Sequence, residues 1–347
     1  MQSVSINELY VMKKIVIILV SLQFIALQCN RKEPGAGYMK LNGEALGTTF
    51  NIQYENVHDK NYYREIDSLF ELVNNSLSTY RPGSVISRIN RGDTGVVVDS
   101  FFIEVFSTAK KVWKKTGGSF DITVAPLVNA WGFGFTEKSE IDSSLIDSLL
   151  SRTGFENVAL KERKVVKTKP GIMLDANAIA KGYCVDVLAE FIEKQDIENY
   201  LVEVGGEIRT KGKNSRGGDW IIGIDKPVDN NQVPGANLQA KVALSGKSLA
   251  TSGNYRRFYV KDGIKYAHTI NPETGWPVNH NLLSASVIAD RCITADAYAT
   301  AFMVKGLDES IKLAENLPGV EAYFIYSDNK GDFKVHFTEG FKELIKE

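Results

Sequence analysis

The spacing of apolar residues predicts a series of amphipathic helices along the chain. Between residues 61 and 77, apolar side chains recur at intervals of three or four, at Ile66, Leu69, Phe70, Val73 and Leu77. This spacing places them on one face of a helix. Further helices are predicted over residues 84–92, 101–116, 140–153, 176–195 and 293–306. The helix over 101–116 is followed by two glycines, a typical helix C-terminus.

Alternation of apolar and polar residues predicts strands in most of the remaining segments. They span residues 41–56 (two strands joined at Gly47), 156–160, 164–167, 171–175, 199–213, 219–227, 237–278 (several strands), 284–290 and 319–338 (two strands). Within 237–278, Asp262 and Gly263 indicate a hairpin turn. Helices and strands are interleaved without regular βαβ spacing, which predicts an α+β fold in a single large, two-lobed unit.

One predicted helix carries two polar residues on an otherwise apolar surface. In "ITADAYATAFMVKG" (293–306), Asp296 and Thr300 lie four residues apart and therefore project from the same face. Oxygen ligands of this kind suit Mg²⁺, which commonly takes a few protein oxygens together with substrate phosphates. The alternative is structural, with Asp296 capping the helix and Thr300 bonding back to a carbonyl. The spacing alone leaves both interpretations open.

Composition contributes mainly by exclusion. The 347 residues are 44% hydrophobic and 24% charged, which is enough apolar sequence for a sizeable core. A formal net charge of −1 and the lack of a long basic block argue against a nucleic-acid partner. The sequence has no HExxH or CxxC pattern, which argues against zinc. "SGKS" (245–248) is not a P-loop, because Lys241 stands where the first glycine is required.

The N-terminus has the pattern of an export signal. From Met12, two lysines precede an apolar run over residues 15–27, and Cys29 follows. The run is shorter than a typical membrane-spanning helix. Cys29 resembles the cysteine that is diacylated in bacterial lipoproteins, although Gln28 stands where a small residue is usual.

We therefore predict a signal peptide over residues 1–29, a linker over 30–39 and one folded domain over 40–345. The expected location is the periplasmic side of the cell envelope, with the exported protein anchored to the inner membrane as a lipoprotein. The alternative is a cleaved, unanchored periplasmic protein. The other two cysteines, Cys184 and Cys292, are predicted to be free, buried thiols, with a disulfide as the alternative.

Two further stretches combine small residues with isolated charges. In "GGSFDITVAP" (117–126), Asp121 follows an aromatic residue, and it is either the N-cap of a turn or a ligand contact. In "LDANAIAKGYCVD" (174–186), alanines form a shallow wall whose backbone carbonyls a cation could approach. Lys181 follows one helical turn on, where it could meet phosphate oxygens. Close packing of a helix is the simpler interpretation of this stretch.

A third stretch, "YAHTINPETGWPV" (266–278), places His268 in a strand directly before a turn rich in Pro and Gly. A single histidine is more often structural than catalytic. A rigid turn is nevertheless the way in which a scaffold presents a working side chain.

Taken in order, these stretches resemble the ApbE family, the FAD:protein FMN transferases. The resemblance rests on the collinear series "ALGTTF", "STYRPGSVISRIN", "GGSFDITVAPLVNAWGFG", "DANAIAKGY", "VEVGGEIR", "ATSGNYRRF", "HTINPETGWPV" and "TADAYATA". It implies an ApbE-like flavin transferase domain with mixed, mostly antiparallel sheets and an FAD groove between two lobes. Two details depart from the family: Asn271 replaces an aspartate common in members, and "DANAIAKGY" lacks a glycine pair that some relatives have.

The resemblance also implies a reaction. Members carry out Mg²⁺-dependent transfer of FMN from FAD to a Thr or Ser hydroxyl of an acceptor redox protein, forming a phosphoester and releasing AMP. His268 matches the base, and the metal ligands match Asp296, Thr300 and the Ala178 carbonyl. The FAD contacts fall on Leu46, Tyr80, Ser119, Phe120, Asp121, Asp175, Lys181 and Ile270.

The expected cofactor is therefore Mg²⁺, with FAD as substrate. The expected partners are FAD, the acceptor protein and, through the lipid anchor, the membrane. Two other functions stay open at this point. Water could replace the acceptor hydroxyl, which would make the protein an FAD pyrophosphatase that yields FMN and AMP. The chain could also be a non-catalytic FAD-binding lipoprotein.

Overall fold

A large antiparallel sheet organises the chain. The computed structural model describes residues 37–136, 139–228, 235–254, 258–261 and 264–346. The helices are α1 (Tyr63–Leu77), α2 (Val85–Arg91), α3 (Ser100–Thr116), α4 (Ala125–Ala130), α5 (Ser143–Leu150), α6 (Ala180–Glu193), α7 (Cys292–Lys305), α8 (Leu307–Ala314) and α9 (Glu339–Lys342). The strands are β1 (Tyr38–Ala45), β2 (Thr48–Glu55), β3 (Val158–Lys161), β4 (Lys164–Lys167), β5 (Tyr200–Val204), β6 (Glu207–Lys211), β7 (Trp220–Asp225), β8 (Leu238–Leu244), β9 (Ser248–Gly253), β10 (Phe258–Lys261), β11 (Ile264–Ala267), β12 (Leu282–Ala289), β13 (Glu321–Ser327), β14 (Phe333–Phe337) and β15 (Ile345–Lys346).

The central sheet has eight strands in the order β1-β2-β5-β6-β9-β12-β13-β14. Each neighbouring pair in it runs antiparallel. Three smaller sheets have the orders β15-β8-β7, β3-β4 and β10-β11, and they are antiparallel as well. Antiparallel neighbours need only short turns, so hairpin turns can carry side chains at the ends of the sheet. The architecture confirms the predicted α+β fold with mostly antiparallel sheets.

The central sheet is covered on both faces. Helices α1, α3, α6 and α7 belong to one hydrophobic core with residues of β2, β5 and β12. A second core joins the other face to the β15-β8-β7 sheet, through side chains such as Ile208, Ile222 and Leu249. Helix α7 packs against β9, β12 and α6 and is buried along almost its whole length. A helix that is apolar all round is expected in such a position.

A third, smaller core supports the loop that follows β11. It consists of Leu127, Trp131, Ile146 and Ile270, to which α4 and α5 contribute. The chain reaches α4 through a short 3-10 turn at Ile122–Val124. This core supports the loop that contains His268, the predicted catalytic base.

The predicted helices are all present, with ends that differ by a few residues from those expected. The predicted helix over 176–195 begins only at Ala180, because residues 177–179 form a turn. Helices α4, α8 and α9 were not expected from the sequence. The strands on either side of the predicted Asp262–Gly263 turn pair as expected, although the turn itself lies outside the described residues.

The predicted strand over residues 171–175 is wrong. The amide group of Asn90 takes the place of a neighbouring strand: its Nδ2 donates to the Leu174 carbonyl, and its Oδ1 accepts from the Leu174 N–H, both at 2.8 Å. The N–H of Asp175 donates to the Ile122 carbonyl at 2.7 Å. The segment is apolar because it is buried, and these hydrogen bonds satisfy its backbone without a ladder.

The chain's ends and its cysteines complete the description. Residues 1–36, with the predicted signal peptide and Cys29, lie outside the described residues, and β1 already begins at Tyr38. Cys184 and Cys292 are free and buried, as predicted, and burial raises the pKa of both thiols. Across the part of the chain that the structure describes, no helix has both the length and the apolar character needed to cross a bilayer.

Candidate active site

A cavity of about 740 Å³ brings most of the predicted site residues together. Its volume lies in the range of sites that hold cofactors and other small ligands. The central sheet, α6, α7 and the loop after β11 all contribute to its lining. The predicted residues that line it are Ser119, Phe120, Asp121, Asp175, Ala178, Lys181, His268, Ile270, Asp296 and Thr300.

Two predicted FAD contacts, Leu46 and Tyr80, are not among the residues that line this cavity. Leu46 lies in the turn between β1 and β2 with a positive φ of 53°, and it packs partly on the main core. Its neighbours Thr48 and Thr49 do line the cavity. Tyr80 is 58% exposed, with its ring centroid 6.4 Å from that of Phe135.

One side of the cavity is formed where α6 meets α7. We call this the helix wall and define it as Ala178, Lys181, Gly182, Asp296 and Thr300. The Gly182 N–H donates a hydrogen bond to Asp296 Oδ2 at 2.9 Å, and Asp296 is only 5% exposed. A Cβ on Gly182 would lie 2.5 Å from the Cys292 carbonyl oxygen, so the two helices touch through their backbones. Glycine is required here by this close approach.

The capping interpretation of Asp296 is wrong. Helix α7 begins at Cys292, with Arg291 at the N-cap position, so Asp296 lies inside the helix and bonds to α6. The cap comes from Asp186 on α6, whose oxygens accept from the N–H groups of Cys292 and Ile293, each at 3.0 Å. Carboxylates satisfy the free N–H groups of a helix start and favour its positive end.

Asp186 is a positioning residue that the sequence interpretation missed. It is fully buried and forms an ion pair with Arg209 at 2.9 Å. Because it holds the first turn of α7 against α6, it sets where Asp296 and Thr300 lie. The only signal in the sequence was its place at the end of "LDANAIAKGYCVD", which gives no indication of a partner more than a hundred residues away.

A charged cluster lies at the start of α6. Lys181 Nζ is 2.7 Å from Glu207 Oε1, on β6. Burial disfavours the charged ammonium, but the carboxylates of Asp296 and Glu207 outweigh this effect and raise the pKa of Lys181. Burial raises the pKa of the Glu207 carboxyl, while Lys181 opposes that shift. Lys181 therefore stays a cation next to the cavity, where its ammonium could bind phosphate oxygens.

Asp121 and Asp175 are linked through the backbone, because the Asp175 N–H donates to the carbonyl of Ile122, the residue after Asp121. Asp121 caps the 3-10 turn: it accepts from the Thr123 N–H at 2.7 Å and from the Phe155 N–H at 2.9 Å. Its N-cap interpretation is thus confirmed, and it lines the cavity as well. Burial raises its pKa to about 6, against the effect of these hydrogen bonds. Asp175 accepts from the Asn177 N–H at 2.8 Å.

His268 faces the cavity from a loop directly after β11. We call residues 268–277 the His268 loop. The ring centroid of His268 is 6.3 Å from that of Phe133, in an edge-on arrangement. Trp131 Nε1 donates to the Gly275 carbonyl at 2.9 Å, which ties the loop to the third core. The loop is therefore fixed from below by an aromatic side chain.

Hydrogen bonds within the His268 loop fix its turn. The Asn271 N–H donates to the Trp276 carbonyl at 2.9 Å, and the Gly275 N–H donates to the Asn271 carbonyl at 2.8 Å. Asn271 Oδ1 accepts from the Glu273 N–H at 2.8 Å. An aspartate could accept this hydrogen bond equally well, so asparagine at this position preserves the turn.

The donor set of the helix wall fits a hard cation such as Mg²⁺. Asp296, Thr300 and Ala178 all line the cavity, and they carry a carboxylate, a hydroxyl and a backbone carbonyl. Mg²⁺ typically takes one or two carboxylates and completes its shell with water and substrate phosphates. Within the described ranges, no group of three or more His, Cys, Asp or Glu residues forms a metal site. A site with few protein ligands beside the Lys181 ammonium has room for a metal that is shared with a substrate.

Comparisons with known proteins agree with this arrangement. A sequence model of the ApbE family matches residues 46–324. The chain is 35% identical to the FAD:protein FMN transferase of Vibrio cholerae over 335 residues, which covers 94% of this chain and 98% of that protein. It is 32% identical to the FAD:protein FMN transferase of Escherichia coli K12, with 88% of each chain covered.

Solved structures give the same result. The flavin transferase ApbE from Vibrio cholerae superimposes with a TM-score of 0.80 at 35% identity, covering 88% of this chain and 99% of the other. The apo form of the Pseudomonas stutzeri flavinyl transferase ApbE gives a TM-score of 0.79 at 29% identity, covering 88% of this chain and 96% of the other. The fold is that of a flavin transferase. The chain belongs to the ApbE family.

Proposed function

We propose that this chain is an FAD:protein FMN transferase. It cleaves the pyrophosphate of FAD and transfers the FMN phosphoryl group to a Thr or Ser hydroxyl of an acceptor protein, with AMP as leaving group. The observation that carries the proposal is that His268, Lys181 and Asp296 line the same cavity. A base, a cation and an oxygen ligand are the three groups that phosphoryl transfer to a neutral hydroxyl requires.

His268 is the candidate general base. In the reaction the acceptor oxygen forms a bond to the FMN phosphorus, the bond from that phosphorus to the bridging oxygen breaks, and AMP departs with the bonding electrons. The hydroxyl proton moves to His268, because an ordinary imidazole titrates near neutral pH and can accept it. The fixed turn of the His268 loop holds the ring at the cavity for this step.

Lys181 is the candidate phosphate ligand. Its ammonium lies at the cavity, paired with Glu207 and within the field of Asp296. It would bind the phosphate oxygens and offset part of their charge as the linkage breaks. Asp121 and Asp175 line the same cavity and could accept hydrogen bonds from hydroxyl or amine groups of FAD.

Asp296, Thr300 and the Ala178 carbonyl would hold Mg²⁺. When bound, this ion would neutralise charge on the pyrophosphate oxygens, which otherwise repel an incoming nucleophile. The burial of Asp296 and its hydrogen bond from Gly182 fix the orientation of the carboxylate in advance. Such fixed ligands lose little freedom on binding a cation.

Transfer is tested by mass. The purified chain is incubated with FAD, Mg²⁺ and a redox-protein domain that carries an acceptor threonine, and the intact acceptor is weighed. We expect the mass of one FMN phosphoryl group to be added and AMP to be released. An acceptor with valine at the same position is the control and should gain nothing. Free FMN with an unmodified acceptor would indicate hydrolysis, and bound, intact FAD would indicate storage.

We also propose that the protein acts outside the cytoplasm, anchored to the membrane through a lipid on Cys29. This proposal rests on the lysines, apolar run and cysteine of residues 12–29. It would place the cavity on the same side as exported redox proteins. Fractionation of cells that express the chain with Cys29→Ala tests it: the anchored form should lose its membrane association. If the variant stays in the membrane fraction, the lipid anchor is wrong.

A further inference from the structure

The turn between β5 and β6 contacts Lys181 at two points. The turn consists of Gly205 and Gly206, and Glu207 follows as the first residue of β6; all three belong to the "VEVGGEIR" stretch of the sequence. Both glycines have positive φ, 62° for Gly205 and 99° for Gly206. This backbone conformation is rarely adopted by other residues, so the glycines allow a tight turn directly beside the start of α6.

The first contact is with the aliphatic stem of Lys181. A Cβ on Gly205 would lie 3.3 Å from Lys181 Cδ and 2.8 Å from Thr48 Cγ2. The turn thus packs so closely against the lysine that a methyl group would not fit without displacing one of these side chains. Because a lysine side chain has four rotatable bonds, such packing limits the positions that its ammonium can reach.

The second contact is with the ammonium itself. Glu207 Oε1 lies 2.7 Å from Lys181 Nζ, and Glu207 is only 3% exposed. The other carboxylate oxygen, Oε2, is also buried, and it has no hydrogen-bond partner among the described residues. A buried ion pair that served stability alone would be expected to satisfy both oxygens, since an unpartnered buried oxygen is costly.

We propose that Glu207 is a positioning residue for the transfer reaction: together with Gly205 it holds Lys181 in the orientation that binds the phosphates of FAD. The inference rests on the proposed function. Glu207 does not touch the reacting atoms and acts only through Lys181. The unsatisfied Oε2 is then the cost of placing a carboxylate where it can hold the ammonium at the cavity rather than where its own hydrogen bonds would be complete.

A double-mutant cycle separates this role from a structural one. Glu207→Gln keeps the size of the side chain and removes its charge, and Lys181→Met removes the ammonium. The KM for FAD, the KM for the acceptor and kcat are measured for the full chain, both single variants and the double variant. Glu207→Gln should raise the KM for FAD about tenfold, as expected for a lost charge-assisted contact, with the acceptor KM unchanged. In the Lys181→Met background the same change should have less than about a twofold effect.

The outcomes of the cycle distinguish a failure of the positioning role from a failure of the proposed function. An equal loss in both backgrounds would overturn the positioning role, because Glu207 would then act independently of Lys181. A parallel rise in the acceptor KM would overturn it as well, since that result indicates a general structural fault. A wild-type chain that transfers no FMN would remove the proposed function and this inference with it.

A glycine pair provides a second test that does not depend on a buried charge. Gly205→Ala introduces a methyl group against Thr48 and Lys181, whereas Gly246→Ala places one in a turn of nearly the same φ, 67°, with no described atom within 4 Å. Both variants should lose thermal stability because both strain the backbone, and Gly205→Ala should lose more because its methyl group also meets Thr48 Cγ2 at 2.8 Å. Only Gly205→Ala should raise the KM for FAD severalfold. Equal KM values for the two variants would show that the turn does not position the lysine.

Discussion

The two sides of the cavity are built by different means. The helix wall is held by the packing of two buried helices, through Gly182, Asp296 and the cap from Asp186. The His268 loop is held by hydrogen bonds within its own turn, by the Trp131 indole beneath it, by a hydrogen bond from Thr269 Oγ1 to Asn254 Oδ1 at 2.7 Å, and by Ile270 in the third core. The wall is therefore part of the core and the loop is attached to it. A change in the wall should affect stability and metal binding together, whereas a change in the loop should affect catalysis with little loss of stability.

The largest effect is expected from the wall's carboxylate. Asp296→Ala should reduce Mg²⁺-dependent transfer by about a thousandfold or more, because it removes the only carboxylate of the proposed metal site. Asp308→Ala, at an exposed aspartate in the first turn of α8, is the control and should transfer normally. The measurement is acceptor modification at saturating FAD over a range of Mg²⁺ concentrations. Normal transfer by Asp296→Ala would place the metal elsewhere.

The loop's histidine should give the next largest effect and a different pattern. His268→Ala should retain FAD binding, measured by flavin fluorescence, and lose transfer by a factor of about 10² to 10⁴, the usual contribution of a general base. Its melting temperature should stay close to that of the wild type. His58→Ala, on the exposed surface, serves as the control. A variant that transfers FMN at the normal rate would show that the base lies elsewhere.

The backbone contact within the wall tests the link between packing and metal binding. Gly182→Ala forces a Cβ to within 2.5 Å of the Cys292 carbonyl oxygen, which should cost roughly 1–3 kcal/mol in the free energy of unfolding. It should also weaken Mg²⁺ activation, since α7 must shift away from α6. Gly218→Ala meets only ordinary contacts, the nearest at 3.6 Å, and should change neither quantity. If stability falls but Mg²⁺ activation stays the same, the two properties are not coupled.

The smallest effect is expected below the loop. Trp131→Phe keeps an aromatic ring in the third core but loses the hydrogen bond to the Gly275 carbonyl, which is worth about 1 kcal/mol. The transfer rate should fall a few-fold while the KM for FAD stays constant. Trp113→Phe changes a tryptophan that packs on the main core and controls for the change of ring. If Trp131→Phe transfers FMN without any loss of rate, the position of the loop does not depend on this hydrogen bond.

The sequence predicted local features well and non-local ones poorly. Periodicity located the amphipathic helices, and the resemblance to the family named the site residues, most of which line the cavity. The spacing of Asp296 and Thr300 could not decide between a cap and a ligand, since the true cap, Asp186, lies on another helix. Glu207 lies in the "VEVGGEIR" stretch, but the sequence predicted no role for it, because its partner Lys181 is distant in sequence.

The segment over 171–175 is a second case in which contacts distant in sequence decided the structure. Its apolar residues suit a buried strand, and periodicity cannot distinguish a strand from any other buried extended segment. What decides is where its backbone hydrogen bonds go, and here they go to the side chain of Asn90 and to the Ile122 carbonyl. The Asn90 side chain in α2 and the Ile122 carbonyl thus supply the hydrogen bonds that neighbouring strands would have supplied.

The two buried thiols give the helix wall a chemical reporter on each of its helices. Cys184 lies on α6 and Cys292 begins α7, and neither is exposed to solvent. Since only an exposed thiolate reacts with an alkylating reagent, the rate at which each is labelled measures how often the contact between these helices opens. A ligand that binds across the wall would slow both rates together. The native chain therefore carries its own probe of how tightly the two helices stay closed.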